Sequence, residues 1–210
     1  MSAREEVLAR IRGALGDEPT VPDIPRAYRR EGVYAAGSPQ LVAQLVDRLE
    51  DYRATVVRVG EVDDAAIAEA VAGALAGREI GQAITPAGTP REWCGSLADA
   101  IVDDGSMDAA ALDSVPAVVT GSVVAVSETG TIVLDGGPLC GRRAITLVPD
   151  THVCVVRVED IVGTVPEALA RLDPARPLTF ISGPSATSDI ELSRVEGVHG
   201  PRTLVVVIAG

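Results

Sequence analysis

The apolar positions along the chain switch repeatedly between helical and strand-like spacing, which predicts a mixture of both elements. Helical spacing occurs at residues 3–15, 38–49, 63–76, 89–97 and 165–172. Short β-branched runs, typical of strands, occur at 54–59, 80–84, 116–120, 123–126, 131–134, 144–148, 152–158, 178–181 and 203–208. Strands and helices alternate in the first half, whereas Gly-rich turns join the later strands. This order predicts an α/β fold with a mixed sheet that carries hairpin strands.

The first part of the chain differs from the rest. Residues 3–15 place Val7, Leu8, Ile11 and Leu15 at helical spacing, and residues 17–37 are rich in Pro and Gly. We therefore expect an amino-terminal helix and extended arm over residues 1–37, followed by the main domain over residues 38–210. A helix this short is marginal alone in water, so it is expected to pack on its own body or on another copy of the chain, as in a homo-oligomer.

Charge and composition exclude several classes of function. The chain carries 30 acidic and 18 basic residues, a formal net charge of −12, and every basic residue is Arg. The absence of Lys excludes Schiff-base and pyridoxal-phosphate chemistry and a P-loop. An acidic chain with 2% aromatic residues is a poor match for nucleic acid or for an anionic membrane.

The expected location is the cytoplasm. Acidic residues near the start stand where a signal peptide would be basic and then apolar. The longest aliphatic run, residues 204–209, is far shorter than the roughly 20 residues of a membrane span. The chain has neither a GxGxxG nor a GxSxG motif, and no cofactor is predicted.

The three cysteines offer two interpretations. His152 and Cys154 lie two apart on a predicted strand, so they share a face and, with Cys140, could supply three zinc ligands. The alternative is an apolar strand with a buried Cys and an edge His. The spacing lacks a closed ligand set, so no metal site is predicted. An iron–sulfur cluster requires four thiolates, one more than this chain contains.

The first segment that could carry chemistry is 120–134, where one strand turns into the next. Thr120 ends the predicted strand 116–120. The next predicted strand, 123–126, runs into a turn with Glu128 and Thr129, and Gly130 and Thr131 lead into the strand after it. Glu128 is a candidate catalytic carboxylate, as nucleophile or base, because α/β sheets bind ligands at strand ends. The other interpretation, favoured by the residues alone, is a solvated turn acid.

A second segment combines small residues with hydroxyls. Ser182, Gly183 and Ser185 follow a predicted strand, and Asp189 and Glu191 lie in a helical-looking stretch just beyond. Small residues allow close backbone approach, and free N–H groups at a helix start attract anions. Equally, the segment could be a hydroxyl cap with Glu191 as its partner and no ligand.

The third segment is the turn before the last strand, where His199 and Arg202 flank Gly-Pro. Such a turn is a candidate clamp for a carboxylate or phosphate, or simply a solvated turn. We predict that the three segments meet at one pocket for a small anionic ligand. There Glu128 and His199 would handle a proton and Arg202 would add charge. The alternative is that these motifs are small only so that helices can pack on strands.

Four segments together resemble the lactate utilization protein C family, whose members are stand-alone LUD domains. They are residues 127–134, 147–153, 182–191 and 197–202. The resemblance implies a three-layer α/β/α sandwich related to the NagB/RpiA/CoA-transferase group. It also implies a role beside iron–sulfur partner proteins that oxidise L-lactate to pyruvate.

Within that resemblance we expect an accessory or ligand-binding component, and whether the chain is itself an enzyme stays open. The alternative is a CoA-transferase-like or other small-anion-binding enzyme that uses Glu128. Some family members carry a basic residue after Ser-Gly-Pro-Ser, where this chain has Ala186. The missing charge would then come from Arg142, Arg194 or Arg202.

Overall fold

The computed structural model describes residues 2–16, 23–60, 62–188, 194–196 and 199–210. The α-helices are α1 (Ala3–Leu15), α2 (Pro39–Asp51), α3 (Asp64–Ala76), α4 (Ala109–Asp113) and α5 (Val165–Leu169). The strands are β1 (Thr55–Val59), β2 (Gln82–Thr85), β3 (Asp99–Val102), β4 (Ala117–Thr120), β5 (Val124–Val126), β6 (Thr131–Leu134), β7 (Thr151–Arg157), β8 (Ile161–Val162), β9 (Thr179–Ile181), β10 (Ala186–Ser188), β11 (Arg194–Glu196) and β12 (Thr203–Ala209). Short 3-10 turns lie at Arg91–Cys94, Arg143–Thr146 and Val158–Asp160.

Six strands form a parallel sheet in the order β1-β12-β7-β4-β2-β3. The central strands β7 and β12 are each seven residues long and buried at six positions, as expected for strands covered on both faces. Cys154 and Val206 pack with α2 on one face, whereas Val153 and Val205 pack with α3 on the other. The α/β sandwich predicted from the sequence is confirmed.

The hairpin strands belong to a second sheet in the order β8-β5-β6-β9. Its antiparallel pairs are β5 with β6 and β6 with β9. Ala125 and Ile132 on one face join the α2 core, while Val124 and Val133 on the other face pack near α5. The second sheet therefore lies over the same face of the parallel sheet as α2.

Helix α2 organises this side of the molecule. Ser38 is extended and Pro39 occupies the first helical turn, which fixes where the helix begins. Its buried face is spaced to meet both sheets and consists of Leu41, Val42, Leu45 and Leu49. The last turn of α2 and its cap at Tyr52 lie against the turns that bear the candidate site.

The amino-terminal segment is held differently. Helix α1 has a Ser2–Glu5 capping box but no buried residue, and Val7, Ile11 and Leu15 are exposed. The arm that follows bonds to the body through its backbone. The N–H of Gly37 donates to the carbonyl of Ile161 at 2.9 Å.

Two sequence-based expectations are wrong. Residues 144–148 are not a strand, because Arg143–Thr146 form a 3-10 turn. The helix expected over residues 89–97 is only the 3-10 turn Arg91–Cys94. Among the described helices, none combines the length and apolar character needed to span a bilayer.

Candidate functional site

The Ser182–Ser185 loop and the turn at His199 meet at a cavity of about 290 Å³. His152 and Leu204, each the second residue of its strand, form part of the wall. The cavity therefore adjoins the amino ends of β7 and β12, with β9 alongside. Its volume is close to the lower limit of about 300 Å³ that is typical of small-molecule pockets.

Two hydrogen bonds fix the loop and the turn against each other. The backbone N–H of Ser185 donates to the carbonyl of Pro201 at 2.8 Å, and the N–H of His199 donates to Ser185 Oγ at 3.1 Å. Because Ser185 Oγ accepts that bond, its own proton can be donated to a ligand. The wall also includes the exposed Arg143, which brings a positive charge to the cavity.

A buried histidine lies under the cavity. His152 is 1% exposed, and its Nε2 lies 2.8 Å from the hydroxyl of Thr120. Burial lowers the pKa of His152 to about 4, so the ring is neutral at neutral pH. Thr120 is itself fully buried and meets the cavity through His152.

A chain of hydroxyls connects the turn after β5 with the cavity loop. Thr129 Oγ1 lies 2.7 Å from Thr131 Oγ1, which lies 2.8 Å from Ser182 Oγ. The register of β6 with β9 causes this, since it pairs Ile132 with Ile181. These two predicted segments are therefore neighbours.

Glu128 is not among the residues that line the cavity, and its carboxylate contacts the arm. Its two carboxylate oxygens accept hydrogen bonds from Nη1 and Nη2 of Arg29, at 2.8 and 2.5 Å. The hydrogen bond and charge of Glu128 raise the pKa of Arg29. In this structure both oxygens of the predicted catalytic carboxylate are thus occupied.

The other candidate residues lie elsewhere. Arg202 pairs with Asp150 at 3.0 Å, beside a separate depression. Arg142 pairs with Asp103 at 2.9 Å. The predicted residues in the cavity wall are Ser182, Gly183, Ser185 and His199, and Gly130 rests on α2. Asp189 and Glu191 lie outside the described residues.

The cysteines are buried thiols. The sulfur atoms of Cys140 and Cys154 lie 3.9 and 3.7 Å from the carbonyl oxygen of Gly121. Burial raises their pKa values to about 11 and about 12. Over the described ranges, no three or more His, Cys, Asp or Glu side chains are grouped to hold a metal.

Among the wall residues that sequence reasoning missed are Arg143 and His152 as a cavity group. Strand alternation places His152 on the buried face with Cys154, a signal that favours an inward-facing ring. Arg143 was missed because residues 144–148 were expected to form a strand, whereas Arg143 begins a 3-10 turn. Only the fold brings residues from the 3-10 turn, β7 and the Ser182 loop together.

This chain is similar in sequence to proteins of a known family. A family model described as LUD domain matches residues 42–209. A Deinococcus radiodurans protein named lactate utilization protein C is 46% identical over 81% of this chain and 80% of its own length. A Bacillus subtilis protein of the same name is 35% identical over 40% of this chain and 38% of its own.

A solved structure of a related protein has a similar fold. The crystal structure of a DUF162 family protein from Deinococcus radiodurans is 39% identical, with a TM-score of 0.68. The match covers 81% of this chain and 97% of that one.

Proposed function

This chain belongs to the LUD-domain family, and we propose that it acts in lactate utilization by binding a small 2-hydroxy or 2-oxo carboxylate. In this proposal iron–sulfur partner proteins oxidise L-lactate to pyruvate, and this chain is their accessory, ligand-binding component. The 46% identity to the relative named lactate utilization protein C carries the proposal.

The chemistry of the cavity supports a carboxylate ligand. Arg143 supplies positive charge, and Ser185 has a hydroxyl proton to donate. Hydrogen bonds between a charged group and a carboxylate are about twice as strong as neutral ones. A local cation matters especially here, because a net charge of −12 repels anions from the molecule as a whole.

The proposed division of labour follows from the donor set. Converting an alcohol to a ketone releases a pair of electrons, which an acceptor must take up. Cluster ligation requires four thiolates, whereas this chain has three cysteines. Burial raises the pKa of Cys94, Cys140 and Cys154, which favours thiols over thiolates. We therefore assign electron transfer to the partners and acid binding to this chain.

Binding is tested first with the purified chain. We expect L-lactate or pyruvate to bind, as measured by calorimetry or ligand-observed NMR, and Arg143→Gln to weaken binding. Arg202→Gln is the matched control, since it removes an equal charge from a residue paired with Asp150 outside the cavity. Equal loss in both variants would indicate only a change of net charge.

Reconstitution tests the role in the system. Cluster-bearing partner proteins are mixed with and without this chain, and lactate-dependent reduction of an electron acceptor is followed. We expect the rate to depend on the chain and to fall with Arg143→Gln. Equal rates without the chain would contradict the accessory role.

A further inference from the structure

His152 has a second ring nitrogen, Nδ1, that no described residue binds. The side chain is 1% exposed, and its hydrogen bond uses Nε2. His152 borders the cavity, and we take Nδ1 to be the ring nitrogen that faces it.

The other side of the ring leads into a chain of hydrogen bonds. His152 Nε2 lies 2.8 Å from Thr120 Oγ1, which lies 3.8 Å from Cys154 Sγ. The Cys154 thiol in turn points to the carbonyl oxygen of Gly121 at 3.7 Å. Burial raises the pKa of Cys154 to about 12, so its proton stays on sulfur.

The tautomer that gives every member of this hydrogen-bonded series a partner carries its proton on Nε2 of His152. The Cys154 thiol donates its proton to the carbonyl oxygen of Gly121, so the sulfur can only accept a further hydrogen bond. The hydroxyl of Thr120 donates its single proton to that sulfur. Thr120 Oγ1 then accepts from Nε2–H, and Nδ1 has a bare lone pair. In the opposite tautomer the Thr120 proton would point to Nε2, and the Cys154 sulfur would have no donor.

We propose that Nδ1 of His152 accepts a hydrogen bond from the hydroxyl of a bound 2-hydroxy acid, and so makes the cavity selective for 2-hydroxy over 2-oxo acids. This inference rests on the proposed function, because it takes the ligand to be a small carboxylate. Arg143 and the Ser185 hydroxyl would hold the carboxylate. A 2-oxo acid would instead turn a carbonyl lone pair toward the lone pair of Nδ1.

The first test is the tautomer in the free protein. The chain has two histidines, so ¹⁵N-labelled imidazole correlations are readily assigned. We expect the two-bond ¹H–¹⁵N pattern of a ring protonated at Nε2 for His152. A proton on Nδ1 would overturn the inference and leave the proposed function standing.

The second test compares L-lactate with pyruvate as ligands of the full chain. One neutral hydrogen bond predicts about fivefold to tenfold tighter binding of lactate. His152→Gln can still reach Thr120 but has no acceptor at the Nδ1 position, and should abolish the preference. His152→Asn places an amide oxygen near that position, and should restore part of it.

The outcomes separate the two proposals. If neither acid binds, both the ligand-binding function and the role of His152 are wrong. If both acids bind equally to the native chain, or if His152→Gln retains the preference, only the role of His152 is wrong. Circular dichroism of each variant identifies a loss of folding, and the tautomer measurement on the native chain does not depend on any variant.

Discussion

Two glycine turns rest on the same end of α2, yet only one of them opens into the cavity. Gly130 has φ 61°, and a Cβ there would lie 2.8 Å from Arg48 Cβ. Gly183 has φ 83°, and a Cβ there would lie 2.6 Å from Tyr52 Cβ. In both turns the absence of a side chain allows a close approach to the helix.

The surroundings of the two turns differ. The Gly130 turn carries Glu128, whose carboxylate is taken up by Arg29 of the arm. The Gly183 loop carries Ser182 and Ser185, which line the cavity. In both turns the glycine is required by close packing against α2. Whether a ligand can bind beside the turn depends on the elements around it.

The largest effect is expected from adding a side chain at these glycines. Gly183→Ala and Gly130→Ala should each lower the free energy of unfolding by about 3 kcal/mol. Left-handed backbone costs about 1–2 kcal/mol and overpacking adds about 1–3 kcal/mol. Urea denaturation measures the loss, and lactate binding should weaken only in Gly183→Ala.

Gly105→Ala is the matched control for these variants. Gly105 also has φ 83°, but nothing lies within 4 Å of the position a Cβ would take. Its cost should be only that of the backbone strain, about 1 kcal/mol. If Gly105→Ala and Gly183→Ala cost the same, the contact with Tyr52 contributes nothing. If Gly130→Ala weakens ligand binding as much as Gly183→Ala, the two turns are not functionally distinct.

Next in size is the pH dependence that His152 imposes. Its folded pKa of about 4 is below the unfolded value near 6.5, so the unfolded state binds more protons between these values. Stability is therefore complete above about pH 6.5 and falls as the pH drops toward 4. We expect a loss of about 2 kcal/mol between pH 7 and pH 5, absent from His152→Gln. Urea denaturation midpoints of both proteins are measured from pH 7 to pH 5. If the midpoint falls equally with pH in the native chain and in His152→Gln, the low pKa of His152 is wrong.

The parts of the fold predicted well have a local signal. Helix α2 is marked by Ser38-Pro39 and its apolar spacing, and β12 by a long aliphatic run. Strands β3 and β8 are 4 and 2 residues long, too short to show a period. Such strands exist because their neighbours hold them in register.

The error at residues 144–148 has a tertiary cause. Ile145 is β-branched and favours a strand by propensity, but it packs beside Ile84 and Leu112 in a core under α4. The turn also satisfies its own backbone, since Ile145 N–H donates to Arg142 O at 3.2 Å. For the same reason Arg143 could not be placed at the cavity, whereas the Ser182 loop was recognisable from its residues.

A smaller effect is expected from removing the amino-terminal segment, whose boundary at residue 37 we retain as a proposal. Among the described residues 2–16 no side chain is buried, so deleting residues 1–16 should leave the melting temperature of a monomer unchanged. Deleting residues 1–37 also removes the hydrogen bonds from Gly32 to Glu167 and from Gly37 to Ile161. That should cost between about 1 and 2 kcal/mol.

Size-exclusion chromatography of both deletions tests whether α1 joins two copies of the chain. Dissociation on deletion of residues 1–16 would show that its exposed apolar side packs on another copy. If even the longer deletion leaves stability and elution volume unchanged, the whole segment is a tail.

The smallest effect on stability is expected at the Arg29–Glu128 pair, because it is largely exposed and screened by salt. The pair instead tests the CoA-transferase alternative. Because Arg29 occupies both carboxylate oxygens of Glu128, incubation of the native chain with acyl-CoA donors should give no covalent adduct by intact mass. An adduct on the native chain that is lost in Glu128→Gln would establish Glu128 as a nucleophile.

The position of β12 has a consequence for synthesis of the chain. It pairs with β1 on one side and β7 on the other, although it follows both in sequence. Until residues 203–209 leave the ribosome, a nascent chain has two unpaired aliphatic strand edges at its centre, the kind of surface that recruits chaperones and promotes aggregation. Leu204 also completes the cavity wall. Closure of the sheet and competence to bind a ligand are therefore expected to arrive together, when β12 docks between β1 and β7.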